Sequence, residues 1–468
     1  MSDTNGRRHG HNKISVIDRE KLRRTVGGTA VGNFMEWYDY GVYGFLATTI
    51  AAVFFPAGSS VAILATFAVL AVSFAVRPLG GFILGPLADR IGRKPILIFT
   101  VTMMAAATFA IGLLPGYATI GAWAFGLLIA ARVVQGFSTG GEYAGAMVYI
   151  NEHAPDRRRG LWVSPLPVGT LAGYIAGAGL VTLLTAVLSQ DALLSWGWRI
   201  PFLLAGPIGL VGLYIRLKLE ETPVYEEQQE ESANGDRERE SGGQQLRRTV
   251  AGHWRPLLVV VGLVMVVNVV LYTLSGYVPT YLKATLGIDN TQALLIILIV
   301  LVILAAAVAP VARLSDRVGR RPVMFVGCAV TLVAAIPAFL LMQVGGNVMI
   351  FLGVLLIATM LVCFTSVEPA TLPSLFPTDV RAGAVSIGYN ASVTLFGGTT
   401  PLIVQTLVTT TGNTLVPAFY LMAAAILGAV AVYFCREPAG EPLPDARPVA
   451  ENEREARDMA AEDRPEGA

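Results

Sequence analysis

Twelve apolar stretches, each long enough to cross a bilayer, recur along this chain, and no soluble core could bury so many. They fall at about 26–55, 60–87, 96–114, 119–150, 161–190 and 196–217, and again at 256–282, 290–312, 323–343, 347–376, 383–410 and 413–435. A perpendicular helix needs about 20 residues to cross the hydrocarbon, so the longer stretches imply tilt, bends or extension beyond the lipid. A chain that is 54% hydrophobic and 14% charged fits no ordinary soluble balance. The expected class is an all-α membrane protein of twelve transmembrane helices in two six-helix halves. Residues 1–25 show no short apolar core followed by a small-residue cleavage site, so the first span itself is expected to direct insertion. Cys328, Cys363 and Cys435 lie in or beside apolar stretches without metal-ligand spacing, and free thiols are expected.

Basic residues sort the connections by side. With the N-terminus taken as cytoplasmic, 30 of the 34 Lys and Arg fall in segments on that side. Arg199 and Lys283 fall opposite, and Arg77 and Arg132 lie inside spans. The positive-inside bias then places both termini in the cytoplasm, with the chain a multi-pass membrane protein. The expected divisions are a cytoplasmic segment over 1–25, a first bundle over 26–217, a solvated linker over 218–255, a second bundle over 256–435 and a disordered tail over 436–468. A short helix near 452–461 is the one element expected in that tail.

An internal repeat supports the division into halves. Gly85-Pro-Leu-Ala-Asp-Arg-Ile-Gly-Arg-Lys-Pro95 matches Ala312-Arg-Leu-Ser-Asp-Arg-Val-Gly-Arg-Arg-Pro322, and Asp156, Arg158 and Gly160 match Asp379, Arg381 and Gly383 at nearly the same offset. Two matches at one offset indicate a duplicated unit. Parallel halves of this kind rock about a site near the bilayer midplane.

Charged groups inside the spans mark where chemistry resides, because an intramembrane ionisable group is costly and must face a partner or a cavity. The first span contains Glu36 and Asp39, which share i, i+3, i+4, i+7 spacing with Tyr40 and Tyr43 and so occupy one helix face. The second carries Arg77. The fourth carries Arg132, Gln135, Thr139 and Glu142, with glycines at 136, 140, 141 and 145 that permit close helix approach. Three acids and two bases therefore sit in the first half. Either one carboxyl holds a proton or a solute carboxylate completes the balance, which is the arrangement proton coupling needs. Fixed pairs that serve packing alone are the bland alternative.

The repeated loop pattern at Gly85, Asp89, Arg90, Gly92 and Arg93 resembles the signature of the major facilitator superfamily. Its second copy comprises Asp316, Arg317, Gly319 and Arg320, with Ala312 replacing the first glycine. The resemblance implies a conformational latch at these residues. Gly-Asn-x-x-Glu-Trp-Tyr-Asp-Tyr in the first span, Arg-Pro-Leu-Gly-Gly at 77–81, Gln-Gly-Phe-Ser-Thr-Gly-Gly-Glu-Tyr at 135–143 and Trp-Gly-Trp-Arg-Ile-Pro-Phe at 196–202 resemble the metabolite:proton symporter family. Within it the likeness is nearest to bacterial proline/glycine betaine:proton symporters, on Asn268 to Leu282, Thr371 to Thr378 and Tyr389-Asn-Ala-Ser392. Two departures stand out: Glu368 replaces an expected apolar or small residue, and no C-terminal coiled coil follows.

The resemblance implies a secondary transporter rather than an enzyme, moving proline, glycine betaine or ectoine with a proton by alternating access. Physical argument adds to this. A quaternary ammonium cannot donate an N–H bond, so aromatic faces hold it best, while arginine suits its carboxylate. Arg132, Trp37, Tyr40, Tyr43, Tyr143, Asn268, Tyr272, Tyr389 and Asn390 are the expected solute contacts, with Tyr277 a further available ring. Glu36, Asp39, Glu142 and Arg77 are the expected coupling groups. The expected partners are a small zwitterion, the proton and the lipid bilayer, with no nucleic acid, no metal and no cofactor. The runner-up is a carboxylate such as 2-oxoglutarate, citrate or shikimate, which would require a second solute-facing arginine. An intramembrane aspartyl protease lacks its Gly-x-Gly-Asp partner motif, and a nucleotide-driven pump lacks a Gly-x-x-x-x-Gly-Lys-Ser/Thr loop.

Overall fold

Lipid offers backbone N–H and C=O groups no partner, so each apolar stretch must satisfy its hydrogen bonds within itself and folds as a helix. The structure, a computed structural model, describes residues 14–17, 19–56, 58–59, 61–91, 93–140, 142–217, 249–378 and 380–462. Span 1 comprises Arg19–Phe45 and Ala47–Phe54, span 2 Ala62–Ile91, span 3 Arg93–Leu113, and span 4 Ala122–Ser138 with Glu142–His153. Spans 5 and 6 are Pro165–Val187 and Arg199–Leu217. The second half runs through Trp254–Tyr272 (span 7), Asn290–Val318 (span 8), Arg320–Val344 (span 9), Asn347–Thr365 (span 10), Arg381–Ser392 with Thr399–Thr411 (span 11) and Val416–Phe434 (span 12).

Among the described residues nine helices are long and apolar enough to cross a membrane unaided, and a pair bent by 41° at the start of span 6 makes a tenth. Span 3 offers only the shorter apolar helix Ile98–Leu113, and span 1 carries Glu36 and Asp39 within its apolar run. Five-residue π-helical turns continue span 7 at Thr273–Tyr277 and Tyr281–Thr285, and another links the two parts of span 11 at Val393–Gly397. Such turns shift the register of the side chains that follow and recur at functional sites.

Span 7 sits at the centre, with 83% of its apolar window buried against 39–50% for the other unaided spans. Spans 1 and 5 approach most closely at Gly173, where an added Cβ would lie 2.5 Å from the Phe34 carbonyl oxygen and 2.7 Å from the Tyr38 nitrogen. Only glycine fits there, and the close approach brings Tyr174 against Trp37.

The halves meet at three levels. On the face that carries both termini, Asn151 donates to the Pro369 carbonyl at 2.8 Å and Arg381 pairs with Glu152 at 2.8 Å. Near the midplane, Asn390 donates to the Gly140 carbonyl at 2.7 Å and Thr394 to the Phe74 carbonyl at 2.9 Å. At the opposite face Lys283 donates to Thr48 at 3.1 Å. The halves are therefore in contact at both faces and between them in this conformation.

Over 436–462, the described part of a tail expected to be disordered but for a short helix near 452–461, that helix is present and the residues before it are ordered as well. Strand β1 (Ser15–Val16) pairs in parallel with β2 (Val449–Ala450), and a helix follows at Glu453–Glu462. Polar partners on both halves compensate for ordering a chain poor in apolar residues. Val449 donates to Asp156, Arg381 donates to the Pro444 carbonyl at 2.6 Å, and Glu437 accepts from the backbone of Arg320 and Arg321. The described ends of the chain thus lie on one face. The linker expected over 218–255 lies outside the described residues as far as 248.

Candidate solute and coupling site

Span 1 presents not one face but two adjacent stacks. Glu36 and Tyr40 lie one turn apart and meet Arg77 of span 2, with which Glu36 forms a buried ion pair. Asp39 and Tyr43, also one turn apart, meet Arg132 of span 4, whose Nη1 lies 3.0 Å from Asp39 Oδ2 and whose guanidinium carbon lies 3.8 Å from the Tyr43 ring centre. Residues three apart are rotated by about 60° on a helix, which is enough to send the two acids to different arginines. Both arginines are essentially inaccessible. A buried pair of this kind contributes little net stability, but removing one partner strands the other charge at a cost of about 3–5 kcal/mol.

Arg77 retains Nε and Nη1 without partners, and Arg132 retains Nε and Nη2. Each thus has donors to offer an anion. Their surroundings differ. Arg77 lies 5.3 Å from the Phe74 ring centre and 5.6 Å from that of Tyr40, and within electrostatic reach of Tyr272 and Tyr389. Arg132 is enclosed by Asp39 and Tyr43, and the Tyr43 hydroxyl is committed to the Thr66 carbonyl at 3.0 Å.

Aromatic rings from both halves converge on Trp37. Tyr174 lies 5.6 Å from it, Tyr40 5.9 Å, and Tyr143 and Tyr272 each 6.3 Å. Tyr143 stacks on Tyr389 across the halves at 5.0 Å, and Phe74 meets Tyr272 edge-on at 5.3 Å. Asn33 holds the indole in place: its Oδ1 accepts from Trp37 Nε1 at 2.7 Å while its Nδ2 donates to Leu166 and Thr170 of span 5. The indole is thereby oriented before any solute arrives.

Between the halves lies a void of about 20 Å³, lined by Trp37, Tyr143, Thr170, Asn268, Glu368 and Tyr389 among others. That is room for about one water, so solute entry requires the halves to part. Glu368 opens the short helix Glu368–Thr371 below span 10 and is buried, with Oε1 unpartnered.

The structure thus brings together Trp37, Tyr40, Tyr143, Tyr272 and Tyr389, with Asn268 on the void wall. Asn390 instead joins the halves through Gly140, and Tyr43 and Arg132 stand away from the void's lining. Tyr277 packs on Tyr281 with centroids 5.9 Å apart rather than on Trp37. Glu142 begins a described helix, but its side chain lies outside the described residues.

The second latch copy bridges the halves. Asp316 accepts from the backbone of Gly160 and Leu161 at 2.8 and 2.9 Å, capping the short helix Arg159–Val163, and lies 3.8 Å from Arg320. Gly319, at φ +98°, turns the chain between spans 8 and 9 in a conformation that favours glycine. Arg320 donates to the Ala370 carbonyl at 2.6 Å, and Arg317 is exposed. In the first copy Gly92, and the side chains at Gly85, Asp89, Arg90 and Arg93, lie outside the described residues.

Phe74, Tyr174 and Asn33 were missed by sequence reasoning. Asn33 carried a local signal, since it precedes Trp37 by one helical turn. Tyr174 and Phe74 carried none, because each reaches the cluster only through packing of spans 5 and 2.

Comparison with known proteins follows the same lines. The model of the Major Facilitator Superfamily matches residues 29–389 and 272–461. A "Proline/betaine transporter" of Salmonella typhimurium is 41% identical over 452 residues, covering 96% of this chain and 90% of that protein. The "Ectoine/proline transporter ProP" of Corynebacterium glutamicum is 43% identical over 454 residues, covering 95% and 90%. Among solved structures, a proton:xylose symporter superposes with a TM-score of 0.70 at 19% identity, covering 94% of this chain and 99% of that one, a likeness of fold.

Proposed function

The chain belongs to the major facilitator superfamily, and on that premise we propose that it imports proline, glycine betaine and ectoine together with protons across a bacterial cytoplasmic membrane. It is a multi-pass secondary transporter, not an enzyme. The observation that carries the choice of solute is the cluster of rings around Trp37, contributed by spans 1, 4, 5, 7 and 11, beside an arginine with free donors. A zwitterion divides between these features. Its ammonium takes the aromatic faces and its carboxylate takes guanidinium N–H groups. The names of the relatives support the same solute class over a dicarboxylate.

Of the two arginines, Arg77 is the better anchor for the carboxylate, because it flanks the rings while Arg132 does not. This reverses the roles expected from sequence. Arg132 with Asp39 is then the coupling pair: protonation of Asp39 releases Arg132, and deprotonation restores the pair, so the proton is taken up and given back as the environment alternates. Glu142 on span 4 is a further candidate for that relay. The cycle needs no cofactor beyond the proton. Asp316 at the backbone of Gly160 and Leu161 serves as the latch, broken when the terminal face opens. That face is cytoplasmic on this reading, supported by the 30 to 2 division of basic residues between the sides.

The test is uptake in proteoliposomes under an imposed pH gradient. Labelled proline should accumulate, excess betaine or ectoine should block it, and 2-oxoglutarate or citrate should not. Accumulation that ignored the gradient would leave facilitated diffusion, and competition by the dicarboxylates alone would move the protein to that branch of solutes.

A further inference from the structure

The apolar stretches of the second half contain one acid, Glu368; Lys283 sits near the end of span 7 and is engaged with Thr48 at the far face. Glu368 is 2% exposed, yet it lines the void between the halves together with Trp37, Tyr143, Asn268 and Tyr389. Its Oε1 has no hydrogen-bond partner, and among the described residues no cation pairs with it. The groups within its electrostatic reach are the phenols of Tyr143 and Tyr389, and Tyr389 is also within reach of Arg77. Packing gives no reason for this residue. A carboxylate in this place without a counter-charge is unfavourable, and a cation that enters the void would supply that charge.

We propose that Glu368 is the subsite for the N–H-bearing cation of the solute, a primary or secondary ammonium or an amidinium, and so sets selectivity between such zwitterions and fully methylated ones. The inference rests on the proposed solute class and deepens it. A zwitterion lying between Arg77 on one half and Glu368 on the other would bridge the halves with its two ends, and Tyr389 is within electrostatic reach of both charges. All cations feel the charge of Glu368. Only those with N–H groups donate to its unpartnered oxygen, while a trimethylammonium is left to the rings of Trp37 and Tyr143. The acid therefore adds to proline and ectoine a contact that betaine lacks.

The experiment compares half-saturating concentrations of proline and glycine betaine for the full-length protein in proteoliposomes, and by direct binding to the purified protein, which requires no turnover. In Glu368→Leu the proline-to-betaine ratio of these concentrations should rise about tenfold, as expected for loss of one charge-assisted hydrogen bond. Glu368→Gln, which keeps an acceptor without the charge and is the gentler change for folding, should shift the ratio in the same direction by a smaller factor. An unchanged ratio in both variants, including parallel weakening of both solutes, would overturn the proposal, as would a shift in favour of proline. Failure of the underlying solute assignment looks different: the unaltered protein would then show no saturable uptake of either compound.

Discussion

Spans 1, 2 and 4 carry into the membrane two arginines, each answered by a carboxylate, whereas the spans of the second half hold Glu368, which among the described residues has no basic partner, and otherwise offer rings, amides and apolar surface. The two halves descend from one duplicated unit, as the repeated loop shows, yet only the first has an interior built for charge compensation. The difference teaches how such a pair of halves can divide labour. Charge that must change hands during a cycle stays within one rigid body, where pair geometry survives rocking. The other body supplies surfaces whose distance from that charge changes as the halves move. Where the second half does meet the first with ions, it does so at the terminal face, through Asp316 and Arg381.

The largest effect should come from dismantling the pair nearest the rings. Arg77→Gln leaves Glu36 buried beside a neutral amide, a loss of about 3–5 kcal/mol in comparable pairs, and should abolish measurable uptake of proline and betaine alike. If either solute were still taken up with near-normal affinity, the first half would not be the anchor and the comparison would fail. Asp39→Asn should come next. It removes the coupling carboxylate but keeps the shape of the site, so accumulation against a gradient should fall to equilibration while counterflow exchange persists. Normal accumulation would remove Asp39 from coupling.

Trp37→Leu sharpens the contrast between rings and charges. A desolvated cation–π contact contributes on the order of 2 kcal/mol, roughly thirtyfold in affinity, and betaine should lose close to that factor while proline, which has N–H donors to use elsewhere, loses less. The shift is opposite in sign to that expected on removing Glu368, and competition assays read both. Asp316→Asn should have the smallest effect. It weakens two backbone contacts across the terminal face without touching the void, so cysteines placed along the inner wall of spans 4 and 10 should react severalfold faster with a membrane-impermeant thiol reagent from that side, with little change in solute affinity. Unchanged labelling would mean that the contact does not hold the face shut.

The places where expectation and structure part have a common cause. Glu36 and Asp39 were visible as a shared face because helical spacing is local, but their assignment to Arg77 and Arg132 spans 41 and 93 residues of sequence. Tyr143 against Tyr389 and Asn390 against Gly140 cross the halves altogether. The tail illustrates the converse error. Its composition argued for disorder, and its order comes from partners in β1, in Asp156 and in Arg381 that no local rule connects to it.

What the sequence determined by itself was the number of the spans, the duplication, the side on which basic residues collect and the burial of Glu36, Asp39, Arg77 and Arg132. The spans and the charges within them follow from a cost that lipid imposes on a short stretch of chain: an unsatisfied backbone or an unshielded charge is penalised wherever its neighbours happen to be. Tertiary structure decided which acid meets which arginine, which rings enclose Trp37, and that Glu368 faces the void without a counter-charge. A rotation of about 60° between helix positions three apart settles a pairing, and only the packing of one helix on another, as at Gly173 on Phe34 and Tyr38, decides which partner each side then meets.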